Sequence, residues 1–308
     1  MLINTVLGTK NIDLANAPTA LSHEHIAGFS YYLRMMSADY FDCKAIEDRA
    51  VSILKSLKSR HGLGLFCDCS AINIGRDTEL LKRVSERSGV DIVCSTGFYY
   101  NDEPVMFAMS EKNIAEIIIE DAINVNAGII KAAVENTEPT DFNYKLLKAA
   151  AIAHIKLRLP IVLHTNASNK NGIKAVKFLL DCGVAPQWIT AAHLSDTEDN
   201  EYIKSIAEIG CFIGLDRLYK IENDEYINSK INQILNLCEA GYEDRIVLSH
   251  DDSVFQGFNK IPRIISPRYE YVFDYILPRL DKNLINQLIR INPLKMLSHN
   301  LRQSRRLE

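Results

Sequence analysis

The chain has no apolar run approaching the roughly 18 to 20 residues that a membrane span needs, no Ser/Gly-rich linker, no low-complexity tract and no long run of one charge. Its first twenty residues lack the basic start and apolar centre of a secretory signal, so the sequence reads as a cytoplasmic protein without a membrane partner. CxxC pairs are absent too. The seven cysteines, at 43, 67, 69, 94, 182, 211 and 238, form an odd, scattered set that fits reduced thiols better than a disulfide framework. Cys67 and Cys69 make a CxC, but no second Cys/His pair stands nearby to complete a zinc site, and packing in a buried strand accounts for them. Against 39 acidic residues stand 35 basic ones, a net charge of -4 that invites no polyanion and argues against nucleic acid as a partner.

What is present is ordinary globular composition, 47% hydrophobic and 24% charged over 308 residues, enough for one large core. Short apolar runs alternate with stretches of helical periodicity. The runs are 19–26, 63–70, 91–98, 127–135, 160–166, 188–194, 211–217 and 245–252. Helices are expected over 44–60, 77–88, 110–126, 141–157, 170–181, 199–209 and 223–240, with Asp77, Ser110 and Asp141 as capping-type openings. Eight near-continuous apolar strands separated by helices argue for an α/β fold, a (β/α)8 TIM barrel forming a single domain over 1–308, with a doubly wound sheet as runner-up. Residues 2–16 are expected to form a small hairpin under the barrel, and 253–267 a long loop over its mouth.

In such a barrel, chemistry sits at the carboxyl ends of the strands. His23 and His25 flank Glu24 at the end of the first run, and a side-chain period of two turns both imidazoles to one side and Glu24 away into packing. His164, His193 and Asp251 end the fifth, sixth and eighth runs, so a metal site on the barrel axis follows. Lys131 lies inside the apolar run AGIIKAAVE, where an unpaired ammonium is costly. Either it snorkels or pairs with Glu135, or its amine captures carbon dioxide to give a carbamate that bridges two cations. His250 alternates off the metal face toward packing or support. His61, His154, His299 and Trp188 read as structural, and Asp68 either supports the site through hydrogen bonds or packs at a strand end.

LSHEH (21–25), NIGRD (73–77), STGFYY (95–100), AGIIKAAVE (127–135), LHTNAS (163–168), AHLSDTEDN (192–200), GLDR (214–217), LSHDD (248–252) and NPLKMLS (292–298) together resemble the phosphotriesterase-like family of the amidohydrolase superfamily. The resemblance implies a binuclear centre with His23, His25 and Asp251 on one metal, His164 and His193 on the other, and N6-carboxylated Lys131 joining them. It implies attack by a metal-bridging hydroxide whose proton passes to Asp251 and outward, with Asp196 and Arg217 behind it. Zinc is the default metal; manganese, cobalt or iron tolerate the same ligands. Tyr99 is similar to the aromatic residue that orients the lactone carbonyl in the family's lactonases, with Tyr100 facing elsewhere, and Arg217 in GLDR also resembles that branch. Lys220, Arg268 and Tyr271 are either a solvated helix face or a phosphate clamp. The RxxY of Arg268 and Tyr271 resembles the branch acting on phosphorylated five-carbon sugar lactones. A phosphorylated furanose lactone is therefore the expected substrate. Other lactones (acyl-homoserine or simple), phosphotriesters or aryl esters, and a non-catalytic metal-bearing binding protein are the alternatives. A homodimer is compatible with the resemblance.

Overall fold

The structure, a computed structural model, describes residues 1–29, 41–100, 104–218, 223–257 and 263–298. The chain opens on an antiparallel hairpin, β1 (Leu2–Thr5) and β2 (Gly8–Asn11). The apolar runs then become β3 (Thr19–Gly28), β4 (Leu63–Asp68), β5 (Asp91–Gly97), β6 (Ile129–Ala133), β7 (Ile161–His164), β8 (Ile189–Ala191), β9 (Phe212–Leu215) and β10 (Ile246–Leu248). Each pairs in parallel with the next in sequence order. Helices Cys43–His61, Thr78–Ser88, Glu111–Val125, Asp141–Leu157, Gly172–Asp181, Asn200–Ile209 and Asp224–Glu239 cover the outside. This is the expected α/β barrel. Asp77 and Ser110 cap their helices through side-chain acceptors. At the fourth of these helices the cap is Thr140, in a reciprocal pair with Asn143, and Asp141 sits in the first turn instead.

The circle closes between β10 and β3. Ser22 Oγ donates to Leu248 O at 3.2 Å and Asp251 N to His23 O at 3.0 Å. The chain then runs straight on into β11 (Ser253–Gln256), which pairs in parallel with the outer half of β3, and β12 (Arg263–Ile264) folds back on it. The expected loop over 253–267 therefore contains strand at both ends. Val254 and Phe255 are buried, so this segment had an apolar reason to pair.

Inward-facing side chains fill the barrel: Leu65, Cys67, Val93, Ile129, Val162 and Val247 form one cluster with Ile3 of the hairpin and Leu294 and Leu297 of the helix Asn292–Leu297. Cys67 and Cys69 belong to this packing, with their sulfurs 3.8 Å apart. The hairpin is tied beneath the strands by Val6 N to Ile92 O (2.8 Å) and Asn4 Nδ2 to Ala127 O (3.0 Å). Among the described residues no helix is long and apolar enough to cross a membrane.

Candidate metal centre and active site

Alternation alone does not decide whether His23 and His25 face inward. A bulge does. Ala20 pairs with Leu65 and Leu21 with Phe66, but the next matched pair is Glu24 with Asp68, so β3 carries one extra residue. The slip turns His23 and His25 to the interior, the side that Ala20 faces one turn earlier, and sends Glu24 outward. On β6 and β7, Lys131 follows inward Ile129 and His164 follows inward Val162 by simple period two. His193 and Asp251 lie just past their strands in left-handed backbone, with φ of 66° and 54°, which costs about 1–3 kcal/mol for such residues. The strain is held by hydrogen bonds from His193 N to Asp216 Oδ1 (2.7 Å) and from Asp251 N to His23 O. Gly97 ends β5 at φ 89°, where a Cβ would lie 2.2 Å from Lys131 O, so only glycine lets β5 approach the lysine this closely.

The hydrogen bonds around the four imidazoles set their tautomers. His23 Nδ1–H donates to Asp216 Oδ2 (2.7 Å), and His193 Nδ1–H to Asp216 Oδ1 (3.0 Å). His25 Nδ1–H donates to Ser70 Oγ (2.8 Å), whose own proton goes to Ala27 O, and His164 Nε2–H donates to Glu135 Oε2 (2.9 Å). One nitrogen of each ring is left facing inward, and these four nitrogens converge with Asp251 and Lys131. His25 Nε2 is 3.1 Å and His23 Nε2 3.6 Å from Asp251 Oδ1, His193 Nε2 is 2.7 Å from His164 Nδ1, and Lys131 Nζ is 2.7 Å from His23 Nε2. Ligating histidines characteristically have the far nitrogen tied down in this way. The donor set therefore fits divalent cations: His23, His25 and Asp251, whose donor atoms lie within 4.8 Å of one another, could hold one. Asp216 also lies near His23 and His193, but its oxygens are taken by their Nδ1–H groups and the His193 amide, which makes it their support.

Burial pushes His164 down to about 4 and His193 well below the ordinary imidazole value, keeping both neutral as metal ligation requires. Burial opposes the charged form of Asp251, yet the Arg217 guanidinium beside it outweighs this and holds that carboxyl well below its usual range. The sign for stability follows. Unfolded His164 takes up its proton near 6.5 and the folded form only near 4, so falling pH favours unfolding across that window. Metal-free protein is expected to lose about 3 kcal/mol from His164 alone between pH 7 and pH 4, with His193 adding in the same direction and Asp251 following only below about pH 4. Urea midpoints at pH 4.5, 5.5 and 7 check this, and a flat series would contradict it.

Above the imidazoles lies a cavity of about 420 Å³ lined by Tyr99, Tyr100, His25, Lys131, His164 and Asp251 among others. The Tyr99 hydroxyl is 3.4 Å from the His164 ring nitrogens, its ring edge-on to the imidazole, and burial pushes the phenol up so that it keeps its proton. Tyr100 does not face elsewhere: it lines the same cavity, 4.3 Å from the Tyr99 ring, because strand alternation ends at Gly97. Arg217 Nε donates to Asp251 Oδ2 and its NH1 to Asp196 Oδ2, both at 2.7 Å.

Arg268 is exposed, with its amide on Asp252 Oδ2 at 2.9 Å. Tyr271 is 3% exposed, its ring tilted against that of Tyr275 at 4.8 Å, and it does not line the cavity. The regular helical segment starts at Val272, with Tyr271 as its cap and Arg268 in the turn before it, so the two share no helix face. Lys220 and His299 lie outside the described residues.

The phosphotriesterase family model matches residues 1–303. The chain belongs to the phosphotriesterase family. It is 31% identical over 314 aligned residues to an aryldialkylphosphatase of Saccharolobus solfataricus, covering 95% of this chain and 99% of that protein. A phosphotriesterase homology protein of Mycobacterium tuberculosis is 27% identical over 306 residues, 91% of each chain. The human N-acetyltaurine hydrolase is 24% identical over 261 residues, 77% of this chain and 74% of that one. The protein is accordingly a hydrolase of a metal-dependent family, with His and Asp groups placed to bind metal.

Three residues of this family member's site escaped the sequence reading. Asp216, the neighbour of Arg217, is an acid one residue beyond β9, the same kind of strand-end position as His193 and Asp251, and that placement is its signal. Glu135, expected only as a partner of Lys131, binds His164 and Asn166 instead. Ser70 carried no signal beyond its place after β4. Asp68 accepts from Ile26 N (2.7 Å) and Ser70 N (2.9 Å), fastening the strand ends that carry His25 and Ser70. His61 stacks on Phe273, and His154 donates to Leu159 O beside Trp188, both far from metal chemistry.

Proposed function

We propose that this protein is a binuclear metal-dependent hydrolase that opens a lactone ring, with a phosphorylated furanose sugar lactone as substrate. The observation that carries the lactonase reading is Tyr99, a half-buried, protonated phenol set edge-on to His164 in the cavity, where it can donate to a ring carbonyl. His23, His25 and Asp251 would hold one cation and His164 and His193 the other, with Lys131 as a carbamate between them. Lys131 supports this: it is 2% exposed, its Nζ meets an imidazole, and no carboxylate pairs with it among the described residues. Two divalent cations would supply Lewis acidity for the carbonyl and for water, and zinc suits imidazole and carboxylate donors.

The remaining chemistry belongs to side chains. Asp251 is charged and can accept a proton from water in the cavity. Arg217 cannot release one, so it orients the carboxylate, itself fixed by Asp196. The phosphate preference rests on Arg268 beside Asp252 and on Lys220; burial removes Tyr271 from it. A second reading, phosphotriester hydrolysis, is favoured by the 31% identity to an aryldialkylphosphatase.

Metal-replete protein is to be assayed on phosphorylated sugar lactones, their unphosphorylated forms, acyl-homoserine lactones and paraoxon-like esters. Turnover of phosphorylated lactones above the rest is expected. Faster turnover of the phosphotriester would favour the second reading, and none at all a binding protein. Arg268→Ala is expected to lower kcat/KM on phosphorylated lactones by about tenfold or more and to spare simple ones. Equal losses on both would end the clamp.

A further inference from the structure

Glu24 separates the two histidines of β3, is fully buried and spends both carboxylate oxygens on the chain around Asp251. Oε1 accepts from Ser249 Oγ (2.7 Å), His250 N (2.9 Å) and His250 Nδ1 (2.6 Å), and Oε2 accepts from Asp252 N (3.2 Å). The donors thus come from both sides of Asp251, a residue kept at φ 54° with its side chain turned to the imidazoles. Nothing in barrel packing needs a buried carboxylate at this point, and an apolar residue there would leave these donors unsatisfied. Both ring nitrogens of His250 are engaged: Nδ1–H donates to Glu24, and Nε2 accepts from Val272 N at 3.1 Å.

We propose that Glu24 is a positioning residue that clasps residues 249, 250 and 252 and thereby holds Asp251 in the conformation that completes the metal site with His23 and His25. The inference rests on the reading of Asp251 as a ligand, and the controls separate the two. A carboxylate at the bulged strand reaches across the closure of the barrel and fixes the backbone on which the acidic ligand turns. The metal then finds that ligand already oriented, as with the outer partners of other metal sites.

The test uses cobalt(II) titrated into metal-free full-length protein, followed by visible absorption, with thermal melting in parallel. Glu24→Gln places an amide donor against donors. His250→Gln keeps an acceptor near the Nε2 position but loses the bond to Glu24, whereas His250→Asn keeps an N–H near the Nδ1 position and loses only the Val272 contact. Glu24→Gln and His250→Gln are expected to weaken cobalt binding about tenfold or more and to change the absorption of the folded, loaded protein, while His250→Asn stays within about twofold of wild type.

Folded Glu24→Gln with wild-type affinity and spectrum would overturn the proposal, as would equal changes in the two His250 variants. If Glu24→Gln fails to fold, the His250 pair decides. Asp251→Asn, run alongside, tests the ligand assignment itself: unchanged cobalt binding there would remove the premise whatever Glu24 does.

Discussion

Lys131→Ala is expected to reduce bound metal from two ions per chain and to cut turnover by about a thousandfold, the equivalent of several kcal/mol of lost transition-state stabilisation. The lysine is buried in the middle of β6, its nitrogen against His23, and Gly97 brings β5 close onto its backbone. Alanine leaves room where the proposed carbamate would sit. Short carboxylates such as acetate or propionate should enter from the cavity and restore part of both metal content and rate. Elemental analysis and turnover with and without them check this. Full occupancy and activity in the unsupplemented variant would refute the carbamate.

Asp216→Asn is expected to weaken metal binding about a hundredfold, with the His23–His25–Asp251 site losing its ion first. The asymmetry follows from donor counting. Asp216 Oδ1 receives both the His193 amide and its Nδ1–H, whereas Oδ2 receives only His23 Nδ1–H. An asparagine satisfies the larger demand by pointing its carbonyl at His193, which leaves its NH2 facing His23 Nδ1. That ring must then carry its proton on Nε2, the nitrogen that faces Lys131 and Asp251, and it loses the lone pair a cation needs. Nitrogen NMR of the imidazoles would show the switched tautomer, and metal analysis the lost ion. Unchanged tautomers with full metal content would contradict the assignment of Asp216 as their support.

The barrel was legible because its strands are apolar on both faces and its helices carry clear caps, so element type and order followed from periodicity. The histidine pair was legible for a related reason: a period of two places residues 23 and 25 together whatever surrounds them. The bulge that aims them inward was not, since it arises from pairing with β4, and LSHEH contains no glycine to mark it. Supporting acids were harder again. Asp216 and Glu135 take their meaning from the imidazole nitrogens they meet, and those contacts join separate strands. Arg268 and Tyr271 show the opposite failure. Their spacing of three suggested a shared helix face, but the helical segment begins just after them and Tyr271 turns into the core.

The bonds joining β3 to the 248–252 segment span more than two hundred residues, as between Ser249 Oγ and His23 N, 226 positions apart. His164 and His193, by contrast, are 29 positions apart on adjacent staves. During synthesis on the ribosome the inner pair can therefore come together while the tail is still being made, whereas the proposed site of His23, His25 and Asp251 straddles the seam and waits for the final stave to dock. Under the proposed ligand assignment, an ion loaded there would signal that the whole ring has shut.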